Sequence, residues 1–327
     1  MNKYLFLMLC FCITVQASSE NRISPFKYDG SPQAYTPPAS SIFHAPRSDE
    51  TQPDIQYYIS TPDINHFPIL MLIGGSSTRE NIMSMIHLHR YFMNETLSAG
   101  CGLITAEQIG VSFDGVDTDQ FFKNYTRTQR YRDHHDLIEH LKANPPEGWN
   151  GQLILLGGSE GGHIAVRLME ELGEEVIATI LWSSASDHDW ETEVWAFLQK
   201  IEMPEGTKTN LPKTREELRA EFESCLEDPS SESECIGMTK MYMADALQYP
   251  LPNYTKHKGK KILVVTGTKD SLISSSDAFV YHSLEAGANL TYHRIEGMDH
   301  YIRKRPDIYE KTFEWIRAIR MDKKVIE

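Results

Sequence analysis

The sequence predicts an α/β fold: a mostly parallel central sheet flanked by helices, with an inserted helical cap. Short apolar runs typical of buried strands alternate with stretches of helical periodicity along most of the chain. That alternation stops over residues 187–256, where helical patterns are joined by linkers that contain Pro and Gly. Apolar strands separated by helices of about ten residues or more form parallel sheets with both faces covered.

The individual elements follow from this alternation. Strands are expected at 68–73 (PILMLI), 101–109, 152–157, 176–182, 260–267 and 288–295. Helices of the sheet layers are expected at 80–97, 130–143, 163–172, 275–286 and 306–319, and helices of the cap at 191–201, 214–225 and 238–248. We therefore divide the chain into a core, residues 54–186 and 257–327, and a helical cap, residues 187–256.

The N-terminus has the pattern of a secretory signal peptide, residues 1–17. Lys3 precedes an apolar run over 4–15, and Val-Gln-Ala at 15–17 has the geometry of a small-residue cleavage site before Ser18. The run is too short to span a bilayer, so no stable membrane insertion is expected after cleavage. We expect a secreted or periplasmic protein. Residues 18–53, rich in Pro and Ser, are interpreted as an extended arm on the surface.

Composition narrows the classes of partner. The formal net charge of -14 at pH 7 disfavours nucleic acid and anionic membrane surfaces. Export leaves three cysteines, of which Cys225 and Cys235 flank an acidic, serine-rich segment. We interpret these two as a candidate disulfide pair in an oxidising compartment, with two free thiols as the alternative. Cys101 opens an apolar strand and is interpreted as a core residue.

A glycine-rich turn holds the candidate nucleophile. Residues 157–161, Gly-Gly-Ser-Glu-Gly, fit G-x-S-x-G, and they follow a strand and open a helix, as that motif requires. On such a tight turn a Cβ at Gly157 or Gly161 would clash. We interpret Ser159 as a nucleophile, and the alternative is a plain glycine-softened loop.

A nucleophilic serine needs a base and an acid that orients the base. Asp270 follows the strand at 260–267, and His300 follows the last strand, so both are expected at the carboxyl edge of the sheet. The order Ser159, Asp270, His300 is the one that this arrangement requires. Asp187 and Asp189, which follow the strand at 176–182, are alternative acids.

An oxyanion hole completes the predicted site. Its first donor is the backbone N–H of Glu160, at the start of the helix after the serine. The second is expected from the turn 73–77 (IGGSS), with the backbone N–H of Ser76 preferred. The Glu160 side chain is either solvated or in contact with a polar or cationic group of the substrate.

Metal chemistry finds little support in the sequence. Neither H-E-x-x-H nor C-x-x-C is present, and the histidines of the H-x-H at 87–89 point to different faces of a helix. His134 and His135 are sequence neighbours and would not ligate one metal comfortably. No metal and no cofactor are predicted. His163, one turn after Ser159, is interpreted as a packing residue, with substrate contact as the alternative.

These motifs together resemble the α/β-hydrolase superfamily of serine hydrolases. The resemblance is carried by GGSEGG, the turn IGGSS, the acid in GTKD and the histidine in GMDH, over residues 54–186 and 257–320. Within the superfamily the chain is similar to esterases and prolyl-oligopeptidase-like hydrolases. The resemblance implies the fold, a Ser-His-Asp triad and metal-free hydrolysis of an ester, thioester or amide. The chain departs from the pattern in lacking His-Gly-Gly-Gly before the turn and in carrying an acidic residue at 160.

The sequence therefore favours a secreted serine hydrolase that acts on a small-molecule or peptide acyl substrate, most simply a carboxylic ester. A serine peptidase of the prolyl-oligopeptidase-like type is the second reading. A non-catalytic binding protein that keeps the fold as a scaffold is the third.

Overall fold

The computed structural model describes residues 42–77, 82–200, 211–302 and 305–323. The predicted signal peptide and the first part of the predicted arm, residues 18–41, lie outside the described residues. The remainder of the arm is structured, since its residues 42–45 form a strand that pairs antiparallel with the next one along the chain. Arg47 then joins the arm to the body through a buried ion pair of 2.7 Å with Asp133.

Eight strands form one sheet in the order β1-β2-β4-β3-β5-β6-β9-β10. Neighbours from β4 to β10 pair in parallel, whereas β1 and β2 at one edge pair antiparallel. The mostly parallel sheet predicted from the sequence is thereby confirmed. The strands of the described residues, including a separate two-stranded pair, are β1 (Ile42–Ala45), β2 (Ile55–Ser60), β3 (Phe67–Ile73), β4 (Gly102–Ala106), β5 (Trp149–Gly158), β6 (Val176–Trp182), β7 (Glu234–Cys235), β8 (Met238–Thr239), β9 (Lys261–Gly267) and β10 (Asn289–Ile295).

Helices flank the sheet and fill the interval where the strand pattern stops. In the described part of the chain they are α1 (Ile86–Ser98), α2 (Thr118–Asn124), α3 (Arg127–Ala143), α4 (Gly161–Leu172), α5 (Trp190–Lys200), α6 (Arg215–Glu227), α7 (Lys240–Gln248), α8 (Ile273–Glu285) and α9 (Pro306–Lys323).

The core has two layers because side chains alternate across each strand. In β3, all of whose residues are buried, Ile69 and Met71 pack into a cluster with residues of α3, α4 and α8. Leu70 and Leu72 face the other way, into a cluster with residues of α1 and α9. Both faces of the sheet are therefore covered, and the functional groups are left to the loops at its edge.

A third apolar cluster lies among α5, α6 and α7, which fall in the interval 187–256 assigned to the cap. Phe222 of α6 and Met243 of α7 are buried in it. Phe121, Phe122 and Tyr125 join the same cluster, although they fall within residues 54–186, which were predicted to belong to the core. The segment around α2 therefore packs with the cap helices. None of the helices that the structure describes is long and apolar enough to cross a membrane.

Candidate active site

Ser159 lies on a sharp turn between the end of β5 and the start of α4. Its φ of 52° is in the left-handed region, which a non-glycine residue seldom adopts. The backbone N–H of Ser159 donates to the carbonyl of Trp182 at 3.0 Å, and Gly162 N–H donates to the Ser159 carbonyl at 3.0 Å. These bonds hold the strained residue in place between two parallel strands and the following helix.

Two glycines of the motif are required by close backbone approach. A Cβ at Gly157 would lie 2.5 Å from the carbonyl oxygen of Gly161. A Cβ at Gly161 would overlap the carbonyl oxygen of Ile73, at the end of β3. By contrast, a Cβ at Gly158 would meet nothing within 4 Å. The local sequence therefore fits a turn packed tightly against its neighbouring strand.

The structure brings Asp270 and His300 into direct contact. The Nδ1 atom of His300 lies 2.9 Å and 3.0 Å from the two carboxylate oxygens of Asp270. Asp270 is only 1% exposed, and one of its oxygens also accepts the backbone N–H of Leu272 at 3.0 Å. Burial raises the pKa of Asp270, but the charge and hydrogen bond of His300 outweigh burial and hold the pKa below its usual value.

The three candidate residues lie at one edge of the sheet. Ser159, Asp270 and His300 follow the carboxyl ends of β5, β9 and β10, and the strands from β5 to β10 pair in parallel through β6. The loops after β9 and β10 also touch, since the backbone N–H of Lys269 donates to the carbonyl of Met298 at 3.0 Å. Parallel pairing therefore carries residues more than 100 positions apart to a common edge.

The two alternative acids are engaged elsewhere. Asp187 accepts the hydroxyl of Tyr254 at 2.5 Å and lies 3.4 Å from His282. Asp189 accepts the backbone N–H of Thr192 at 2.7 Å, at the start of α5. Of the three aspartates considered, Asp270 is thus the one in contact with His300.

A cavity that is partly open to solvent lies beside the serine, with about 560 Å³ of space not filled by protein atoms. Its wall includes Ser159, Ser76 of the turn after β3 and, from the cap interval, Trp190 and Phe197. His163 lies in the same wall, 3.4 Å from a carboxylate oxygen of buried Glu193. His163 thus lines the cavity beside Ser159 and also contacts a buried side chain, so both readings of this residue stay predictions.

The Glu160 side chain is not solvated, which corrects the first of the two readings from the sequence; its contact with substrate stays a prediction. It is 4% exposed and forms ion pairs with Arg130 and, at 3.6 Å, with Arg127. The hydroxyls of Tyr125, at 3.2 Å, and of Tyr242 donate to its two oxygens. The carboxylate is therefore fully engaged by two cations and two hydroxyls.

This cluster fixes the protonation states of its members. Burial would raise the pKa of Glu160, but the positive charges of Arg130 and Arg127 hold it below its usual value. The pKa values of Tyr125 and Tyr242 are raised well above the usual range, first by burial and then by the Glu160 charge. Both tyrosines are thus protonated donors to an ionised carboxylate.

The four partners of Glu160 were not predicted from the sequence. They lie 30 to 82 positions from it in the chain, on α3, α7 and the end of α2. Only Glu160 itself gave a signal, as an acidic residue beside the predicted nucleophile. A buried carboxylate demands cationic or hydroxyl partners, but a sequence does not say which ones.

Cys225 and Cys235 are adjacent and buried, with their sulfur atoms 2.7 Å apart. Both are free thiols in this structure, as is Cys101. The bridge between Cys225 and Cys235 therefore stays a prediction. Within the described ranges, no group of three or more His, Cys, Asp or Glu residues could hold a metal ion.

Comparison with known proteins places these observations in a family. A family model described as serine aminopeptidase, S33, matches residues 124–306. None of the curated proteins compared with the sequence matches it. Several solved structures do.

A lipase in its open form has a TM-score of 0.58 and 15% identity, covering 85% of this chain and 98% of the lipase. An esterase from Rhizomucor miehei has a TM-score of 0.55 and 16% identity, covering 85% of this chain and 82% of the esterase. A putative dipeptidyl aminopeptidase IV from Bacteroides ovatus has a TM-score of 0.54 and 14% identity, covering 85% of this chain and 35% of the peptidase. At such low identity these likenesses show a shared fold alone. The matched range 124–306 spans more than half of the 327 residues, and the chain therefore belongs to the serine aminopeptidase S33 family of α/β-hydrolases and is a serine hydrolase.

Proposed function

We propose that this serine hydrolase cleaves carboxylic esters, with Ser159 as nucleophile, His300 as general base and Asp270 as the group that orients His300. The observation that carries the proposal is the contact of 2.9 Å and 3.0 Å between His300 Nδ1 and the buried Asp270 carboxylate. It is supported by the left-handed φ of Ser159 at the same edge of the sheet. Such a carboxylate fixes the imidazole tautomer and stabilises the imidazolium that forms.

In the acylation step, Ser159 Oγ attacks the acyl carbon while Nε2 of His300 takes the hydroxyl proton. The tetrahedral intermediate collapses, and the alcohol leaves with the proton that His300 returns to it. An ester between Ser159 and the acyl group remains. His300 then takes a proton from water, the hydroxide attacks the acyl carbon, and Ser159 Oγ leaves and recovers its proton.

The oxyanion of each tetrahedral intermediate would be bound by the backbone N–H groups of Glu160 and Ser76. Glu160 immediately precedes α4, so its N–H belongs to a helix N-terminus, where partial positive charge accumulates. Ser76 is in the turn after β3 and in the cavity wall with Ser159. Removing one donor of this kind costs about 10²- to 10³-fold in kcat.

The cavity wall supports an ester of modest size. Apolar side chains of the cap interval, Trp190, Val194, Phe197 and Met238, lie in it and would contact the acyl or alcohol portion. An ester substrate needs no charged group for its recognition, because the protein can bind it through the reacting carbonyl and apolar contacts.

Aminopeptidase activity is the second candidate. The description of the family as serine aminopeptidases favours it. The buried carboxylate of Glu193, in the cavity wall, is the kind of group that pairs with a substrate ammonium. Hydrolysis of alanine p-nitroanilide faster than p-nitrophenyl butyrate would make this candidate the better one.

A fluorophosphonate probe tests the nucleophile directly, since it forms a stable adduct with an activated serine. We expect the purified protein to be labelled and Ser159→Ala to lose both labelling and turnover of p-nitrophenyl butyrate. Ser274→Ala, a change at an exposed serine of α8, is the matched control and should react as the wild type does. Labelling that persists in Ser159→Ala would contradict the assignment, and an unlabelled, inactive wild type would favour a binding protein.

We also infer export of the chain, from the signal-peptide pattern of residues 1–17. An oxidising compartment would then allow Cys225 and Cys235 to form a disulfide by passing two electrons and two protons to oxidised glutathione. Mass spectrometry of the exported protein checks both steps. An N-terminus at Ser18 and the loss of two hydrogens between these cysteines are expected, whereas an intact N-terminus would contradict cleavage of a signal peptide, and absence of the protein outside the cytoplasm would contradict export.

A further inference from the structure

We propose that the buried Glu160 carboxylate is a positioning group, and that Tyr125, Arg130 and Glu160 form a brace that sets the two oxyanion donors relative to each other. This inference rests on the proposed function, because it concerns the backbone N–H groups of Glu160 and Ser76. The side chains of Tyr125 and Arg130 do not contact the reacting atoms in the proposed mechanism. Each acts through the backbone of the turn 73–77.

Tyr125 and Arg130 each join the carboxylate to that turn. The Tyr125 hydroxyl donates to Glu160 Oε1 at 3.2 Å and accepts the backbone N–H of Ser77 at 2.8 Å. One Nη of Arg130 donates to the same Oε1, and the other donates to the carbonyl of Gly74 at 2.6 Å. The bonds to Gly74 and Ser77 hold the turn on either side of Ser76. The turn is thereby tied to the residue that follows Ser159.

Pairing with two arginines makes the Glu160 carboxylate compatible with a position beside the proposed oxyanion hole. The oxyanion that forms beside Glu160 N–H is negative, so an unpaired carboxylate on the same residue would oppose it. Two guanidinium groups, those of Arg130 and Arg127, face the one carboxylate. All three side chains are nearly inaccessible to water, with side-chain exposures of 3–4%. In such surroundings fixed charges act strongly and need no reorganisation during the reaction.

The brace also touches the cap interval. Tyr242 of α7 donates to the second oxygen of Glu160, and its ring stacks on that of Tyr125 with centroids 5.2 Å apart and planes at 8°. Rotamer freedom of Tyr125 is thereby reduced, which keeps its hydroxyl between Glu160 and Ser77. A contact from α7 therefore supports the geometry of the turn.

Tyr125→Phe is the sharpest test because it removes one hydroxyl and keeps the stacked ring. We expect kcat for p-nitrophenyl butyrate to fall about 10- to 100-fold, since small misplacement of a donor carries costs of that size. KM should stay within about 2-fold, because the ground-state ester makes little use of the oxyanion donors. The inhibition constant of phenylboronic acid, which forms a tetrahedral adduct on serine, should rise in parallel with the loss in kcat.

Two further variants separate positioning from general damage. Tyr131→Phe, on α3, also removes a hydroxyl that donates to a glutamate, Glu171, but away from the turn; we expect wild-type kinetics. Arg130→Lys keeps the charge and loses the fork that bonds both Glu160 and Gly74, so it should lower kcat as Tyr125→Phe does. If either Tyr125→Phe or Arg130→Lys does not fold, the other of these two variants carries the test.

A loss of kcat smaller than about 10-fold, or a change confined to KM, would overturn the brace. So would phenylboronic acid binding that does not weaken with kcat. These results are distinguishable from failure of the proposed function, in which the wild type itself would show no fluorophosphonate labelling. An inactive wild type overturns both.

Discussion

At the scale of single residues, the Asp270 and His300 pair depends on burial. Asp270 is 1% exposed, so water competes little for its oxygens, and both lie within hydrogen-bond distance of the imidazole. The Asp270 pKa is lowered despite burial, which means that the carboxylate is ionised near neutral pH. An ionised acceptor at Nδ1 leaves Nε2 as the nitrogen that is ready to take a proton.

Replacing Asp270 by Asn is predicted to lower kcat by about 10³- to 10⁴-fold, because the amide can favour the wrong imidazole tautomer. The protein should remain folded, since Asn has nearly the same volume. Asp187→Asn is the matched control: Asp187 bonds Tyr254 instead of His300, and kcat should change little. Turnover of p-nitrophenyl butyrate and a circular dichroism spectrum measure both effects. A larger loss in Asp187→Asn would reverse the assignment of the acid.

At the scale of elements, the strand, turn and helix around Ser159 are specified by neighbouring backbone. Gly157 and Gly158 are adjacent and chemically identical, yet only the first is in a crowded place. A Cβ at Gly157 would lie 2.5 Å from the carbonyl oxygen of Gly161 and 2.6 Å from Gly162 Cα. Backbone atoms cannot rotate away as a side chain can, so relief requires the turn itself to move.

Gly157→Ala is therefore predicted to destabilise the protein by about 1–3 kcal/mol or more, as overpacking in a rigid site does. Gly158→Ala should change the free energy of unfolding by no more than about 0.5 kcal/mol, because the added methyl group meets no other atom. Urea unfolding followed by tryptophan fluorescence gives both values. Equal stability of the two variants would contradict the crowding read from the structure.

The same scale shows what the sequence could predict. The buried strands β3, β5, β6 and β9 were predictable because apolar residues dominate the centre of each, as in LILL of β5 and ILVV of β9. The strands β1 and β2 were missed. They lie at the antiparallel edge, where the exposed His44 and the half-buried Gln56 interrupt the apolar pattern. The helix α2 has only seven residues, too few to show a helical period.

For the site, chain order and strand ends were enough to predict that Asp270 and His300 would meet. The Glu160 cluster was not predictable, because its partners are joined to it only through the packing of three separate helical segments. Tyr242 lies 82 positions from Glu160, and nothing local links the two. Long-range polar pairing of this kind follows from the fold and leaves no periodic signal.

At the scale of the whole molecule, buried histidines link stability to pH. His89 of α1 is 4% exposed, and its ring nitrogens lie 2.9 Å from Ser60 of β2 and 3.0 Å from Thr105 of β4. Burial disfavours the imidazolium and lowers the pKa of His89 to about 4. His134 of α3 is similarly buried, with its pKa lowered to about 4 by the same cause.

The sign of the linkage follows from these values. An unfolded histidine has a pKa of about 6.5, so between pH 6.5 and 4 the unfolded chain binds more protons than the folded one. Stability from a buried neutral histidine is complete above pH 6.5 and is lost as the pH falls toward 4. Between pH 7 and 5, His89 should account for a loss of about 2 kcal/mol.

His89→Gln should therefore reduce the loss of unfolding free energy between pH 7 and pH 5 by about 2 kcal/mol, whatever its stability at pH 7. Glutamine can keep a hydrogen bond to Ser60 or Thr105 but has no proton to gain. His44→Gln, at a solvent-exposed ring in β1, is the matched control, because folding does not bury that ring. Guanidinium unfolding curves at the two pH values give the four free energies for each comparison with the wild type.

The difference between variant and wild type cancels contributions from buried carboxylates such as Glu107, whose pKa is raised by burial and which act in the opposite direction. An unchanged pH dependence in His89→Gln would show that His89 is protonated in the folded protein at pH 5, contrary to its burial.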